Sequence, residues 1–117
     1  MIIVHCVIES TWNLCKNLNY YGEDYIKECG FIHCSDIDTY KNVAPDFKDI
    51  NEKLLLLVID TEKVEAEVKW EDFYECNIKY PHIYGLLNKD AVIDVLPHLW
   101  SKDRQWIIND ELKKYRT

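Results

Sequence analysis

Four histidines, five cysteines and a set of strand-borne glutamates hold most of the chemical potential of this 117-residue chain. His5 stands in the middle of the apolar run Ile2 to Ile8. His33 follows Gly30-Phe31-Ile32 and precedes Cys34-Ser35, and His82 follows Pro81. A histidine on a strand is held at a fixed depth, with one ring nitrogen oriented by a neighbour and the other free for a ligand. His98 comes after Pro97 at a strand end and reads as a surface residue. Glu65, Glu67 and Glu71 share one face of an alternating segment, where a carboxylate can act as base or hold a hydroxyl; two of them read as a solvated face. Glu71 is the exception, because it follows Trp70 at the end of the segment and opens an aromatic loop. Tyr84 beside His82 adds a ring face and a hydroxyl donor, useful against a planar ligand. Each histidine taken alone also fits a satisfied, half-buried strand position. His5 and His33 together, on helix-linked strands, read as a site.

Metal and nucleophile chemistry are weaker readings. Cys29, His33 and Cys34 with His5 or His82 supply zinc-type atoms, but paired-ligand spacing is missing and adjacent strand residues point to opposite faces. No metal is expected. Cys34 or Cys6 beside a histidine offers a thiol nucleophile, equally unspecific. Phosphate-loop, dinucleotide, serine-hydrolase and zinc-protease signatures are absent from the sequence.

The elements that must position these groups follow from periodicity. Ile2 to Ile8 reads as a strand in which His5 shares a face with Ile3 and Val7, while Val4 and Cys6 face the other way. Ser10 is a natural cap for a short helix with Trp12, Cys15 and Leu18 on one stripe, closed by Tyr20-Tyr21-Gly22. Phe31 to Cys34 makes a short strand, and Ser35 with Asp38 makes a weak capping box for a helix carrying Ile37, Tyr40, Ala44 and Phe47, ended near Pro45. Leu54 to Asp60 is a short, uniformly apolar strand. Thr61 to Lys63 turns the chain. Val64, Ala66, Val68 and Trp70 then alternate with charged residues, giving a strand with one wet face. Asp72 to Tyr80 reads as an irregular aromatic loop, and Pro81 to Gly85 as an extended piece. Ala91 to Leu96 is another strand, ended by Pro97. Trp106-Ile107-Ile108 reads as an edge strand, followed by a charged helix to Tyr115. Five or six strands and two early helices without regular alternation predict a mainly antiparallel α+β fold with two or three short helices.

Composition narrows the function classes. The chain holds 48% hydrophobic and 30% charged residues with only 3 Gly and 3 Pro, so it is a folded domain rather than a disordered segment, and its length fits one domain. A formal charge of −7 repels phosphate backbones and anionic lipid, and both arginines, Arg104 and Arg116, lie late in the chain. No nucleic-acid partner and no membrane association are expected. The apolar stretch Leu54 to Ile59 is too short to span a bilayer, and no charged leader precedes the first strand. An odd number of cysteines without CxxC spacing fits a reducing, cytoplasmic setting. Nothing in the sequence fixes an oligomeric state.

With these residues laid out, the chain resembles the bacterial family catalogued as domain of unknown function 952. The matching pieces are His5 followed by Trp12, then Gly30-Phe31-Ile32-His33-Cys34-Ser35, Leu54 to Asp60, Val68-Lys69-Trp70-Glu71 and Pro81-His82-Ile83-Tyr84-Gly85. They run in order over about residues 1–97, leaving 98–117 as a C-terminal extension. The resemblance implies a split antiparallel β core like that of ADP-ribosylating enzymes, in which a first-strand histidine holds the nicotinamide-side ribose of NAD. It would make His5 the ribose contact and His33 its second-strand partner. Taken with the reading of the residues, the candidate ligand-binding set is His5, His33, Ser35, Trp70, His82 and Tyr84, with Glu71 and His33 as catalytic candidates; Glu71 does not align with the catalytic glutamate of the ADP-ribosylating enzymes. NAD is then the candidate cofactor or substrate. The similar RNA 2′-phosphotransferases neutralise phosphate with arginines, which this sequence lacks before Arg104, so that activity is not expected.

Three readings follow. The first is an ADP-ribosyl-transfer or glycohydrolase-type enzyme with a cleft for a small-molecule nucleotide, NAD or ADP-ribose-like. The second is a non-catalytic module that binds a metabolite or a protein on the same scaffold. The third makes the histidines structural ties between strands.

Overall fold

Leu54–Asp60 forms the strand β5, and its apolar run from Leu54 to Ile59 is explained by a layer packed on each of its faces. The computed structural model describes residues 1–116. β5 pairs along its whole length with β1 (Ile2–Ile8) and on its other side with β9 (Val92–Pro97), while the two-residue β4 (Ser35–Asp36) joins the far edge of β1. Every strand pairing among the described residues is antiparallel.

Alternation divides the core in two. Ile3, Val7, Leu55, Leu57 and Ile59 face one way and meet Ile32, Ile83, Leu87 and Tyr21. Those partners come from a three-stranded sheet of β3 (Ile32–His33), β7 (Tyr80–Tyr84) and β6 (Glu67–Glu71), and from the pair β2 (Tyr20–Tyr21) with β8 (Leu87–Asn88). Val4, Cys6, Leu54, Leu56, Val58 and Leu96 face the other way and meet Tyr40, Ala44 and Leu112. That second layer is built from α3 (Tyr40–Val43), the 3₁₀ turn Ala44–Phe47, and the C-terminal segment with its hairpin of β10 (Leu99–Trp100) and β11 (Trp106–Ile107) and its helix α4 (Asp110–Lys113). The fold is thus α+β, mostly antiparallel, with short helices that also include α1 (Glu9–Asn13) and α2 (Glu23–Cys29).

Several local expectations are corrected. Helix α1 begins at Glu9 with Ile8 in the cap position, so Ser10 lies inside it, and Leu18 is exposed because the helix ends at Asn13, before a full stripe forms. Tyr20-Tyr21 does not close that helix: it pairs with β8, and Gly22, at φ 104°, leads into α2. Ser35 is a strand residue, since β1 offers a ladder opposite it; the Asp36 carboxylate takes the Thr39 N–H and hydroxyl instead, so no Ser35–Asp38 box forms. The alternating segment enters the sheet only from Glu67, because the Glu65 N–H donates to the Asn88 side chain. The strand after the turn at Asn88 begins at Val92, with Ala91 in a 3₁₀ turn. His98 is buried, not superficial, because Tyr40, Trp100 and Trp106 close over it. Among the described residues no helix is long and apolar enough to cross a membrane.

Candidate functional site

The site originates where the chain changes sheets. Ile32 and His33 pair with β7, the Cys34 N–H donates to the Pro81 carbonyl, and Ser35 already pairs with Val4 of β1. One residue therefore bridges two sheets. Because β4 covers only Ile3 and Val4, the edge of β1 at His5 and Cys6 carries no strand partner. A cavity of about 560 Å³ opens there, bounded by that edge, the polar face of the small sheet, α3 and the loop after β6. Its volume lies within the range of small-molecule sites.

The polar wall follows from strand register. Glu71 and Tyr80 face each other, Lys69 lies opposite His82, and His82 lies opposite His33, so these side chains share the face turned away from Ile32 and Ile83. His82 Nδ1 lies 2.9 Å from Glu71 Oε1, and the Tyr84 hydroxyl donates to the same oxygen at 2.6 Å. The Tyr84 and His82 hydrogen bonds hold the Glu71 carboxyl below its usual range, so it is an acceptor. His82 Nδ1 must then carry the proton, which leaves the Nε2 lone pair free in the neutral ring. No partner for Nε2 is found among the described residues, although His82 is only 5% exposed. Tyr84 in turn is pushed up to about 12 by its bond to Glu71 and stays a phenol. Phe31 lies against His82 with ring centroids 4.4 Å apart, and Phe73 stacks on it at 5.1 Å. His33 is exposed, edge-on to Phe31, and its pKa is lowered by desolvation and by the neighbouring His82.

His5 does different work. Its Nδ1–H donates to the His33 carbonyl, and its Nε2 meets the Tyr21 hydroxyl at 2.8 Å. Burial lowers its pKa to about 4, so the ring is neutral and Tyr21 donates. Both nitrogens are occupied. Ser35, 2% exposed, lines the cavity, and its hydroxyl has no partner among the described residues. The thiols on this wall are not nucleophiles in waiting: burial raises Cys6 to about 11 and raises Cys34 further. Among the described residues no three ligating side chains come within reach of one ion.

The sequence pattern of the protein of unknown function (DUF952) family matches residues 6–95. The chain belongs to that family. The fold of this DUF952 chain is also that of protein CC0527 from Caulobacter crescentus. Its crystal structure superposes with a TM-score of 0.80 at 22% identity, over 97% of this chain and 99% of that one. The solution structure of CC0527 gives a TM-score of 0.70 at 23% identity, over 88% of this chain and 89% of that one. None of the curated proteins matches the sequence.

In this DUF952 chain His5, His33, Ser35, Glu71 and His82 all line one cavity. Tyr84 touches Glu71 from outside it. Trp70 is not brought to the cavity: it alternates with Glu71 and packs against the first core cluster. Phe31, Phe73, Tyr40 and Asp46 surround or flank the site without having been singled out by the sequence. Period two from His33 back to Phe31 is the signal that would have found one of them; Phe73, Tyr40 and Asp46 arrive through loop and helix geometry that no local pattern encodes.

Proposed function

We propose that the cavity is a small-molecule site in which Glu71 and His82 act as an oriented acid–base pair. The observation that carries this reading is the unpartnered Nε2 of a histidine whose Nδ1 is fixed by a charged carboxylate. The resemblance to ADP-ribosylating enzymes makes the nicotinamide–ribose end of NAD the candidate occupant, with ADP-ribose as its product-like relative. On such an N-ribosyl ligand, hydrolysis has a simple form. Water adds its oxygen to the anomeric carbon as the bond to nicotinamide breaks, and nicotinamide leaves with the bonding pair. The water proton passes to His82 Nε2, and Glu71 stabilises the imidazolium. No Lys or Arg lines the cavity, so a pyrophosphate would have to remain in solvent beyond the rim.

That absence, together with the close cover of Phe31 and Phe73 over His82, favours a second reading: recognition of a metabolite without turnover. Titration with NAD, ADP-ribose and nicotinamide, followed through the imidazole resonances of His33 and His82, tests both. Perturbation of both rings supports the site, and NAD turnover that Glu71→Gln and His82→Gln abolish selects the enzyme. Silence from all three ligands at millimolar concentration removes the nucleotide reading.

A further inference from the structure

The lining of the cavity has a charge character that its acid–base pair does not require. Two carboxylates reach it, Glu71 from β6 and Asp46 from the 3₁₀ turn at its rim, and no lysine or arginine does. Lys69, the cation whose charge is felt at Glu71, sits over the Tyr84 ring at 4.7 Å and stays outside the lining. Beside aliphatic, amide and thiol side chains the lining carries rings: Tyr25 and Tyr80 half-buried, Tyr40 buried, Phe73 and Tyr74 exposed. His5 is held neutral by burial and adds no positive charge.

Carboxylates beside aromatic faces attract positively charged nitrogen, through Coulomb attraction and through the negative ring face, and both strengthen as water is excluded. An anionic ligand meets the reverse: two carboxylates and no lysine or arginine in the lining. The buried Ser35 hydroxyl supplies an uncharged hydrogen-bonding group in the same lining. We infer that this cavity selects cationic nitrogen ligands, an N-alkylated pyridinium ring or a quaternary ammonium, with Asp46 as the residue that sets the charge preference. The inference rests on the cavity being a ligand site, and it narrows the class of molecule that site accepts.

Two isosteric series separate the possibilities, with binding followed by calorimetry and by the His33 and His82 resonances. The first is 1-methylnicotinamide cation, neutral nicotinamide and anionic nicotinate. The second is benzyltrimethylammonium, benzyl alcohol and benzoate. The cation of at least one series should bind about tenfold or more above its neutral partner, the anion weakest. Asp46→Asn, a change at an exposed rim position, should erase most of that preference and leave the neutral ligand unchanged. Equal binding of neutral or anionic members, with the histidines still responding, overturns charge selection while the site itself stands. Preference confined to the benzyl series keeps charge selection and discards the nicotinamide candidate. Absence of binding by every member of both series overturns the inference and the site together.

Discussion

His33 and His82 stand directly opposite each other on an antiparallel pair, their ring centroids 5.5 Å apart and nearly perpendicular. They are not equivalent. His82 has a carboxylate behind it, whereas no hydrogen bond to the His33 ring is found among the described residues. One ring is therefore locked in tautomer and orientation, and the other is free to turn towards an occupant.

Glu71→Gln tests that asymmetry directly. An amide can donate or accept, so the constraint on His82 disappears while shape is retained. Long-range proton–nitrogen correlation spectra should show His82 almost wholly as the Nδ1–H form in the parent and as a mixture in the variant. If the acid–base reading holds, turnover of the cognate ligand falls by about 10²-fold or more. An unchanged tautomer would mean that Glu71 does not orient the ring.

His5 and His98 give the protein an acid-sensitive core. Burial lowers each from 6.5 to about 4, so the unfolded chain takes up their protons first. Their contribution is fully present above pH 6.5 and is lost as pH falls towards 4, by roughly 3 kcal/mol for each ring. Urea midpoints measured at neutral pH and near the lower end of that window should differ clearly. His5→Gln and His98→Gln should each be less stable at neutral pH and show a shallower fall. A parent protein whose midpoint ignores pH across the window would contradict the buried placement.

His5→Phe isolates the tie itself. The ring joins β1 to the His33 carbonyl and to the Tyr21 hydroxyl, and phenylalanine leaves both without a partner. A loss of about 2–3 kcal/mol in chemical denaturation is expected. Wild-type stability would show that water replaces the imidazole at no cost.

How much of this could be read in the sequence depends on the length over which a pattern repeats. β5 is plain because six successive residues, Leu54 to Ile59, are all apolar, and the division of β1 into an Ile3–His5–Val7 face and a Val4–Cys6 face matches the two core clusters. β2, β4 and β8 are two-residue strands, too short to show any period, so Tyr20-Tyr21 looks like a helix end and Ser35 like a cap. The burial of His98 depends on Trp100 and Trp106 folding back over it, a contact between a strand end and a hairpin that follows it. The candidate histidines and Glu71 were legible by type and position; the Glu71–His82 bond was not, because only the β6–β7 register brings those strands together.

Gly22 marks a place where backbone and packing both exclude a side chain. Its φ is 104°, and a Cβ there would run into the Ile32 side chain. Gly22→Ala should destabilise the protein by about 2 kcal/mol or more in thermal or urea unfolding. A neutral effect would require α2 to shift away from β3.

The rim loop is closed by one carboxylate. Asp72 accepts the backbone N–H groups of Cys76 and Asn77, at 3.1 and 2.8 Å, and so holds Glu75 and Asn77 at positive φ. Asp72→Ala should raise hydrogen exchange at those two amides by about tenfold or more. It should also loosen the stacking of Phe73 on His82, visible as a change in the His82 ring shifts. Unaltered exchange would show that the loop is held by something else.

The single-residue passage from β3 to β4 at Cys34 has a mechanical corollary. A clamp of two successive ladders and the His5 tether leaves the halves of the molecule no slack to spread apart at their base. Admission of a guest therefore falls to the walls outside the sheets, among which the Phe73–Tyr74 segment is exposed. The entrance works like a purse with a sewn seam: the closed base cannot widen, so the size of a guest is set by the helical and aromatic walls facing it.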